Sequence, residues 1–94
     1  MTPDEIILRG ENADRLLRDK VLQEAIAGMK KEIVDQWAST PARDEEGRDW
    51  IWRHYKVVER LESMLKGYVE SGKMERFKVE QSLQDRAVKW FKRA

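Results

Sequence analysis

Large apolar side chains recur every three or four residues over positions 22–37, and Leu16, Leu17 and Val21 extend the pattern toward the start of the chain. This spacing is the period of one face of an α-helix. The pattern predicts a helix over 12–38, with Asn12 as its N-cap and Asp19 as a candidate break. Before it we expect an irregular leader over 1–11, bracketed by a proline and a glycine. The stripe consists of Leu22, Ile26, Met29, Ile33 and Trp37.

A short turn that ends the first helix separates it from a second one. Pro41 disfavours α conformation in the residue before it and cannot continue the hydrogen-bond ladder. Two N-caps are open for the next helix: Thr40, with Pro41 at the first helical position, or Asp44. We expect the second helix over 45–71, with Gly72 as its C-terminal cap.

The second helix carries two adjacent apolar rows. The first row has the four-three spacing of a coiled-coil seam, and we expect it to face the first helix. The predicted register is antiparallel, with Ile33 opposite Trp50 and Leu22 opposite Leu61. One neighbouring helix covers only one row, so the second row needs the C-terminal segment or another copy, which predicts a dimer or higher homo-oligomer. The first row is Trp50, His54, Val57, Leu61, Met64 and Tyr68; the second is Ile51, Tyr55, Val58, Leu65 and Val69.

A C-terminal helical segment is expected over 74–93. Ser82 and Asp85 match a capping box, followed by a short run that mixes apolar and basic residues. Two interpretations stay open for this segment. In the one we favour, its apolar side chains dock on the second row. In the other, its basic and aromatic side chains contact nucleic acid, an anionic surface or a protein groove.

Composition agrees with long solvated helices. Charged residues are 39% of the 94 residues, and the chain has five glycines and two prolines. The net charge is +1, but residues 73–94 hold seven basic and three acidic side chains, so their net charge is +4. Without cysteine there are no disulfides and no thiolate zinc sites. No apolar run approaches the roughly 18 residues that span a bilayer, so we expect one soluble domain over 1–94 with no membrane partner.

The sequence contains little evidence for a catalytic site. His54 is the single imidazole and lies on a predicted seam, which favours a structural role. Glu59 and Glu62 share a helix face, but Arg60 and Lys66 nearby indicate a solvated ion-pair face. No Ser/His/Asp set and no Gly-rich phosphate loop is indicated. We therefore expect no enzyme activity, no cofactor and no metal.

Two surfaces are candidates for binding a partner. Trp52 projects away from Trp50, toward a polar side that includes Arg48 and Lys56, and a large aromatic there indicates a contact surface. A neighbouring subunit or the C-terminal helix would cover it equally well. The second surface is the basic C-terminus. Its candidate residues are Arg86, Lys89, Trp90, Lys92 and Arg93.

One segment of the chain resembles a known group of proteins. The pattern W-x2-TPARD-x-EGR, followed by VVERLESMLKGYVESGKM, is similar to small helical proteins encoded by tailed bacteriophages and prophages. The resemblance covers about residues 15–75. It carries over no activity and no functional residues. Its usual genomic setting, among head and packaging genes, implies a role in morphogenesis or in the virion.

The sequence thus predicts an all-α fold: a long antiparallel helical hairpin plus a C-terminal helix, assembled as an oligomer. The leading functional hypothesis is a non-enzymatic phage assembly protein that binds a larger structural partner. One alternative is a host-takeover or counter-defence protein that blocks a host complex or sequesters a nucleotide signal. A second alternative is a DNA-binding packaging factor. The expected location is the cytoplasm of the infected bacterial host, with the virion as a second location.

Overall fold

The computed structural model describes residues 1–93, which form three α-helices. They are α1 (Pro3–Arg18), α2 (Lys20–Ser39) and α3 (Glu45–Arg93). The all-α prediction is confirmed. The helix boundaries differ from those predicted at both ends of the chain, and each difference has a local cause.

The first helix begins nine residues before the start predicted for it. Thr2 is the N-cap of α1: its hydroxyl accepts a hydrogen bond from the backbone N–H of Glu5 at 3.2 Å, and its own N–H donates to the Glu5 carboxylate at 3.5 Å. Pro3 occupies the first position of the helix, where its missing N–H costs nothing. The predicted leader over 1–11 and the Asn12 cap are therefore wrong, because this capping box starts the helix at once.

Asp19 divides the predicted first helix in two. Its backbone is extended (φ −68°, ψ 123°), and its N–H donates to the carbonyl of Leu16 at 3.1 Å. Its carboxylate accepts from the N–H of Leu22 at 2.9 Å and so caps α2. One residue thus ends α1 and begins α2, which confirms the break suggested by the sequence.

The turn between α2 and α3 resolves the choice between two caps. Asp44 accepts the N–H of Gly47 on its carboxylate, and the Arg48 N–H on its carbonyl, both at 3.0 Å. Asp44 is therefore the N-cap of α3, and the predicted start of that helix at residue 45 is confirmed. Thr40 instead ends α2, with its N–H donating to the carbonyl of Trp37.

The third helix continues without a break through Gly72 to Arg93. No glycine in residues 1–93 has a positive φ, so Gly72 is not a left-handed cap. The predicted end at residue 71 and the separate segment over 74–93 are wrong. Gly72 instead lies where α3 contacts α1. A Cβ added there would lie 3.0 Å from the Cα of Gly10. The glycine pair lets the backbones of α1 and α3 approach closely.

Helices α1 and α2 lie beside α3 and run in the opposite direction. Lys30 pairs with Glu62 about one third of the way along α3, whereas Gly10 meets Gly72 and Glu11 pairs with Arg76 farther along it. The core between them is thin. Across residues 1–93 the buried apolar side chains are Ala13, Ile26, Ile51 and Val58, which are 3–7% exposed.

The second apolar row of α3, rather than the first, packs inside the molecule. Ile51 and Val58 of that row are buried, whereas Trp50, Val57 and Leu61 of the first row are exposed. Leu61 is 47% exposed, so the predicted pairing of the first row with α2 is wrong. The two rows are neighbours on one helix, and the position of α1 and α2 decides which of them is covered. We call the second row the inner row and the first row the outer row.

The molecule is long and narrow. It measures 77 × 26 × 18 Å, and its radius of gyration is 21.3 Å. A compact domain of this length has a radius of gyration of about 12 Å. Helix α3 sets the length, because its 49 residues span about 73 Å. Residues 80–93 are exposed throughout. We call this stretch the C-terminal arm.

Candidate interaction surface

The predicted aromatic contact, Trp52, lies at the edge of a shallow apolar recess. It is 55% exposed, and the ammonium of Lys56 lies 5.6 Å from its ring centroid. The same lysine pairs with Glu59 at 3.1 Å. The recess between α2 and α3 measures about 210 Å³. Its lining residues are Ile33, Val34, Trp37, Ile51, Trp52 and Tyr55.

Arg48, grouped with Trp52 in the sequence prediction, is engaged within the chain. Its guanidinium lies 4.0 Å from the ring centroid of Trp37 and donates a hydrogen bond to the carbonyl of Thr40 at 3.0 Å. A cation above an aromatic face is stabilised by the negative potential of the ring. Arg48 thus ties the end of α2 to the start of α3, while Trp52 and Lys56 keep free surface beside it.

The C-terminal arm presents all five of its predicted binding residues to solvent. Trp90 is 66% exposed and meets Phe91 edge-to-face, with 5.3 Å between the ring centroids. The prediction that the apolar side chains of this segment dock on the inner row is wrong. The inner row is already occupied by α1 and α2, and unbroken α3 carries the arm away from it. The exposed residues are Arg86, Lys89, Trp90, Lys92 and Arg93.

The two ends of α3 carry opposite charge. Its N-terminal end has the acids Asp44, Glu45, Glu46 and Asp49. Its C-terminal end has the bases Arg86, Lys89, Lys92 and Arg93. Each set complements the helix dipole at its own end, which stabilises a helix of this length. Arg48 and Arg53 offset part of the acidic charge, so residues 44–53 have a net charge of −2 and residues 86–93 a net charge of +4.

One ion pair holds α2 to α3. The hydrogen bond from the Lys30 ammonium to Glu62, together with the charges of Glu62, Tyr55 and Glu59, raises the pKa of Lys30, although partial burial opposes the shift. Glu62 therefore has a cross-helix partner, rather than only the neighbours on its own helix that the sequence suggested. Glu59 pairs with Lys56, so both carboxylates belong to ion pairs.

The histidine and the acidic residues of the described chain do not come together at one site. His54 is exposed, and its ring centroid lies 3.8 Å from that of Trp50. Within residues 1–93, no group of three or more histidine, aspartate or glutamate side chains is arranged to hold a metal ion. The described helices also include none that is long and apolar enough to cross a membrane.

The contact between α1 and α3 was not predicted from the sequence. Arg9 stacks its guanidinium 4.1 Å from the ring centroid of Tyr68, and Gly10 meets Gly72 one turn farther along α3. The signal for α1 was present at Thr2 and Glu5, a capping box of the same kind as the one predicted at Ser82. Because α1 is helical, Gly10 lies inside a helix, where a glycine lowers stability. Its presence there is explained by the close packing that it allows.

No protein-family model, curated protein or solved structure matches this chain. The resemblance to phage proteins therefore remains a sequence-based prediction.

Proposed function

We propose that this protein is a non-enzymatic helical assembly module that acts as a homo-oligomer and binds a larger partner. One observation carries the proposal: the structure leaves most of its large apolar side chains in water. All four tryptophans are exposed, and so are Val57, Leu61 and Met64 of the outer row. Soluble monomers rarely expose apolar patches of this extent.

The total surface supports the same proposal. The accessible surface of the chain is 7952 Å². A folded monomer of 11.2 kDa has about 5,700 Å². The excess of about 2,300 Å² per chain reflects the elongated shape of the molecule, and contact with another copy would cover part of it. In this proposal the helical hairpin made by α1 and α2 against α3 is completed by another copy.

The phage resemblance suggests where such a module would act. We propose virion assembly as its setting, with a phage structural protein or a host protein as the larger partner. Trp52 and Lys56, beside the apolar recess, supply a surface that remains free on each copy.

Light scattering of the purified protein tests the self-association. A mass of two or more chains at micromolar concentration is the expected result. A stable monomer of 11.2 kDa would contradict the proposal. Mass spectrometry of purified virions then tests the setting: presence at fixed stoichiometry supports an assembly role, and absence removes it.

A second candidate, nucleic-acid binding, is favoured by the C-terminal arm. The arm combines four exposed basic side chains with the exposed rings of Trp90 and Phe91, which is a combination used to contact phosphates and stack on bases. Binding through phosphates would weaken steeply with salt. A titration of single-stranded and duplex DNA at several salt concentrations tests this candidate, with a variant that lacks residues 83–94 as the control.

A further inference from the structure

The contact of α3 with α1 and α2 has two sides, and the apolar recess lies on one of them. The lining of the recess includes Val34 of α2 and Trp52 of α3. The Lys30–Glu62 pair lies on this side as well, because Lys30 is one turn before Val34 and Glu62 is seven residues after Tyr55, another lining residue. Residues seven apart keep the same side where two helices pack along each other.

The second ion pair between helices lies on the same side. Arg76, which pairs with Glu11, follows Tyr55 by three repeats of seven residues. Within residues 1–93, both ion pairs that join α3 to its neighbours therefore lie on the recess side. The opposite side of the contact has no charged link between the helices in this part of the chain.

The outer row forms that opposite side, and its free apolar stretch is short. From Trp50 to Met64 the row holds no charged residue other than the titratable His54. At Tyr68 the guanidinium of Arg9 covers the ring. Beyond that position the row becomes polar, with Ser71, Glu75 and Lys78. The row is therefore apolar and uncovered over about 20 Å of α3.

Apolar side chains of α1 and α2 widen this side. Gln36 lines a depression together with Trp50, so it marks the edge of α2 that borders the outer row. Met29 lies two turns before Gln36 on that edge. On α1, Leu8 and Leu16 line a depression that reaches the end of the same row. We call this surface the apolar face; it consists of Leu8, Leu16, Met29 and the apolar residues of the row from Trp50 to Met64.

The size of the apolar face matches that of a stable interface. Its seven large apolar side chains are 47–65% exposed. Together they leave on the order of 800 Å² of apolar surface in water. A specific interface buries about 800 Å² on each partner. The face thus has the area that one protein partner needs.

The architecture of the chain indicates which partner covers this area. A cross-section of 26 × 18 Å accommodates two helices side by side, and it lacks a second layer. Stable helical domains bury the apolar stripes of their helices between layers. A second copy placed on the apolar face would supply that layer and produce the four-helix cross-section of a bundle. A nucleic acid would find few complementary charges on this side.

We propose that two copies of the chain pair through their apolar faces, related by a two-fold axis. This inference rests on the self-association proposed above and names its surface. A two-fold contact uses the same face on both copies and closes at two chains. The recess side, with Trp52 and Lys56, stays free for a larger partner. The face ends before the C-terminal arm, so this pairing does not need residues 83–94.

Helix α2 offers a matched pair of residues for testing the face. Met29 lies on the apolar face and Val34 lies in the recess, and they are 50% and 51% exposed. Met29→Glu should raise the dimer dissociation constant about tenfold or more, because it places a charge in an apolar interface. Val34→Glu makes the same change on the other side and should leave the constant unchanged. Light scattering over a range of concentrations measures both.

Helix α3 offers a second matched pair. Trp50 lies on the apolar face and Trp52 at the recess, and both are more than half exposed. Trp50→Gln should weaken association, because tryptophan contributes strongly to interfaces, whereas Trp52→Gln should not. Agreement between pairs on two different helices would identify the side of the molecule rather than a single residue.

Thiol labelling tests the face in chains that still associate. The chain has no cysteine, so Met29→Cys and Val34→Cys each introduce a single thiol. At concentrations where the dimer predominates, the thiol at position 29 should react several-fold more slowly with a water-soluble reagent than the thiol at position 34. Dilution should bring the two rates together. This measurement decides the matter even if Met29→Glu loses helicity when it dissociates.

The outcomes separate failure of the face from failure of self-association. Weakening by Val34→Glu or Trp52→Gln, with their counterparts unaffected, would place the interface at the recess and overturn the proposal. Equal labelling rates at positions 29 and 34 in the dimer would overturn it too, because the apolar face would then be uncovered. A wild-type chain that is monomeric in light scattering would instead remove the self-association on which the inference rests.

Discussion

Gly10 sets how closely α1 approaches α3, and this gives the sharpest prediction for a single residue. A Cβ at Gly10 would lie 2.8 Å from the carbonyl oxygen of Tyr68 and 2.9 Å from the Cα of Gly72, both backbone atoms. We expect Gly10→Ala to reduce the free energy of unfolding by about 1–3 kcal/mol, because α1 must move away. Urea unfolding at fixed protein concentration measures the change.

Gly28→Ala is the matched control for this prediction. Nothing lies within 4 Å of a Cβ at Gly28, which is in the interior of α2. Alanine there should raise the free energy of unfolding by about 0.5–1 kcal/mol, because it restricts the unfolded chain. Equal effects of the two substitutions would show that the glycine contact between α1 and α3 is not made.

The Lys30–Glu62 pair predicts a specific dependence of stability on pH. Because the pKa of Lys30 is raised in the folded state, the stabilisation is fully present below its unfolded pKa of about 10.4 and is lost as pH rises through the folded pKa. The Tm difference between the wild type and Lys30→Gln should therefore be constant from about pH 7 to about pH 10, where the carboxylate is ionised, and shrink above that range. Lys66→Gln controls for loss of one positive charge. A difference that persists unchanged in strong alkali would contradict the assignment.

Among the helices, α3 depends on a single residue for its start. Asp44 accepts from the N–H of Gly47, one of the groups that has no partner inside the helix. Asp44→Ala should reduce the free energy of unfolding by about 1 kcal/mol. Asp35→Ala, which removes an exposed ion pair with Lys31, should cost less than the loss of the cap, because solvent screens that pair. Thermal melts of the two variants give the comparison, and equal losses would argue against the cap.

Helix ends were predictable where a local chemical signal was used. The signals at Asp19, Pro41 and Asp44 identified the break, the stop and the start that the structure contains. Gly72 misled the prediction because a glycine after a helical run has the same sequence signature whether it ends the helix or allows a close crossing. The deciding partner, Gly10, lies more than 60 residues away.

Periodicity alone could not predict which of the two rows of α3 faces the inside of the molecule. Trp50 and Ile51 are adjacent in sequence, and both belong to rows with helical spacing. Which row faces inward depends on where α1 and α2 lie, and α1 was not predicted as a helix. The exposure of Trp52 and of the basic residues of the arm needed no such information, because Trp52 lies at the edge of the recess between α2 and α3 and the arm extends beyond both neighbouring helices.

Across the whole molecule, exposed apolar surface outweighs the buried core. The described residues bury four apolar side chains well and leave the outer row and the C-terminal arm in water. A core of this size supplies little stability to a 94-residue chain, since burial is the main term that opposes conformational entropy. Folding and self-association are therefore expected to be coupled, so the Tm should rise with protein concentration.

Removing residues 83–94 separates the stability of the single chain from the stability gained by self-association. The Gly10–Gly72 contact, the Lys30–Glu62 pair and the four buried side chains all lie outside the deleted stretch. If the arm takes part in self-association, the shortened chain should remain helical by circular dichroism but become monomeric by light scattering. Its Tm should then no longer depend on concentration. As a control, changing Lys89 and Lys92 to Gln in the full chain preserves the apolar row and should weaken association only partly. A shortened chain that stays dimeric would show that the interface lies outside residues 83–94.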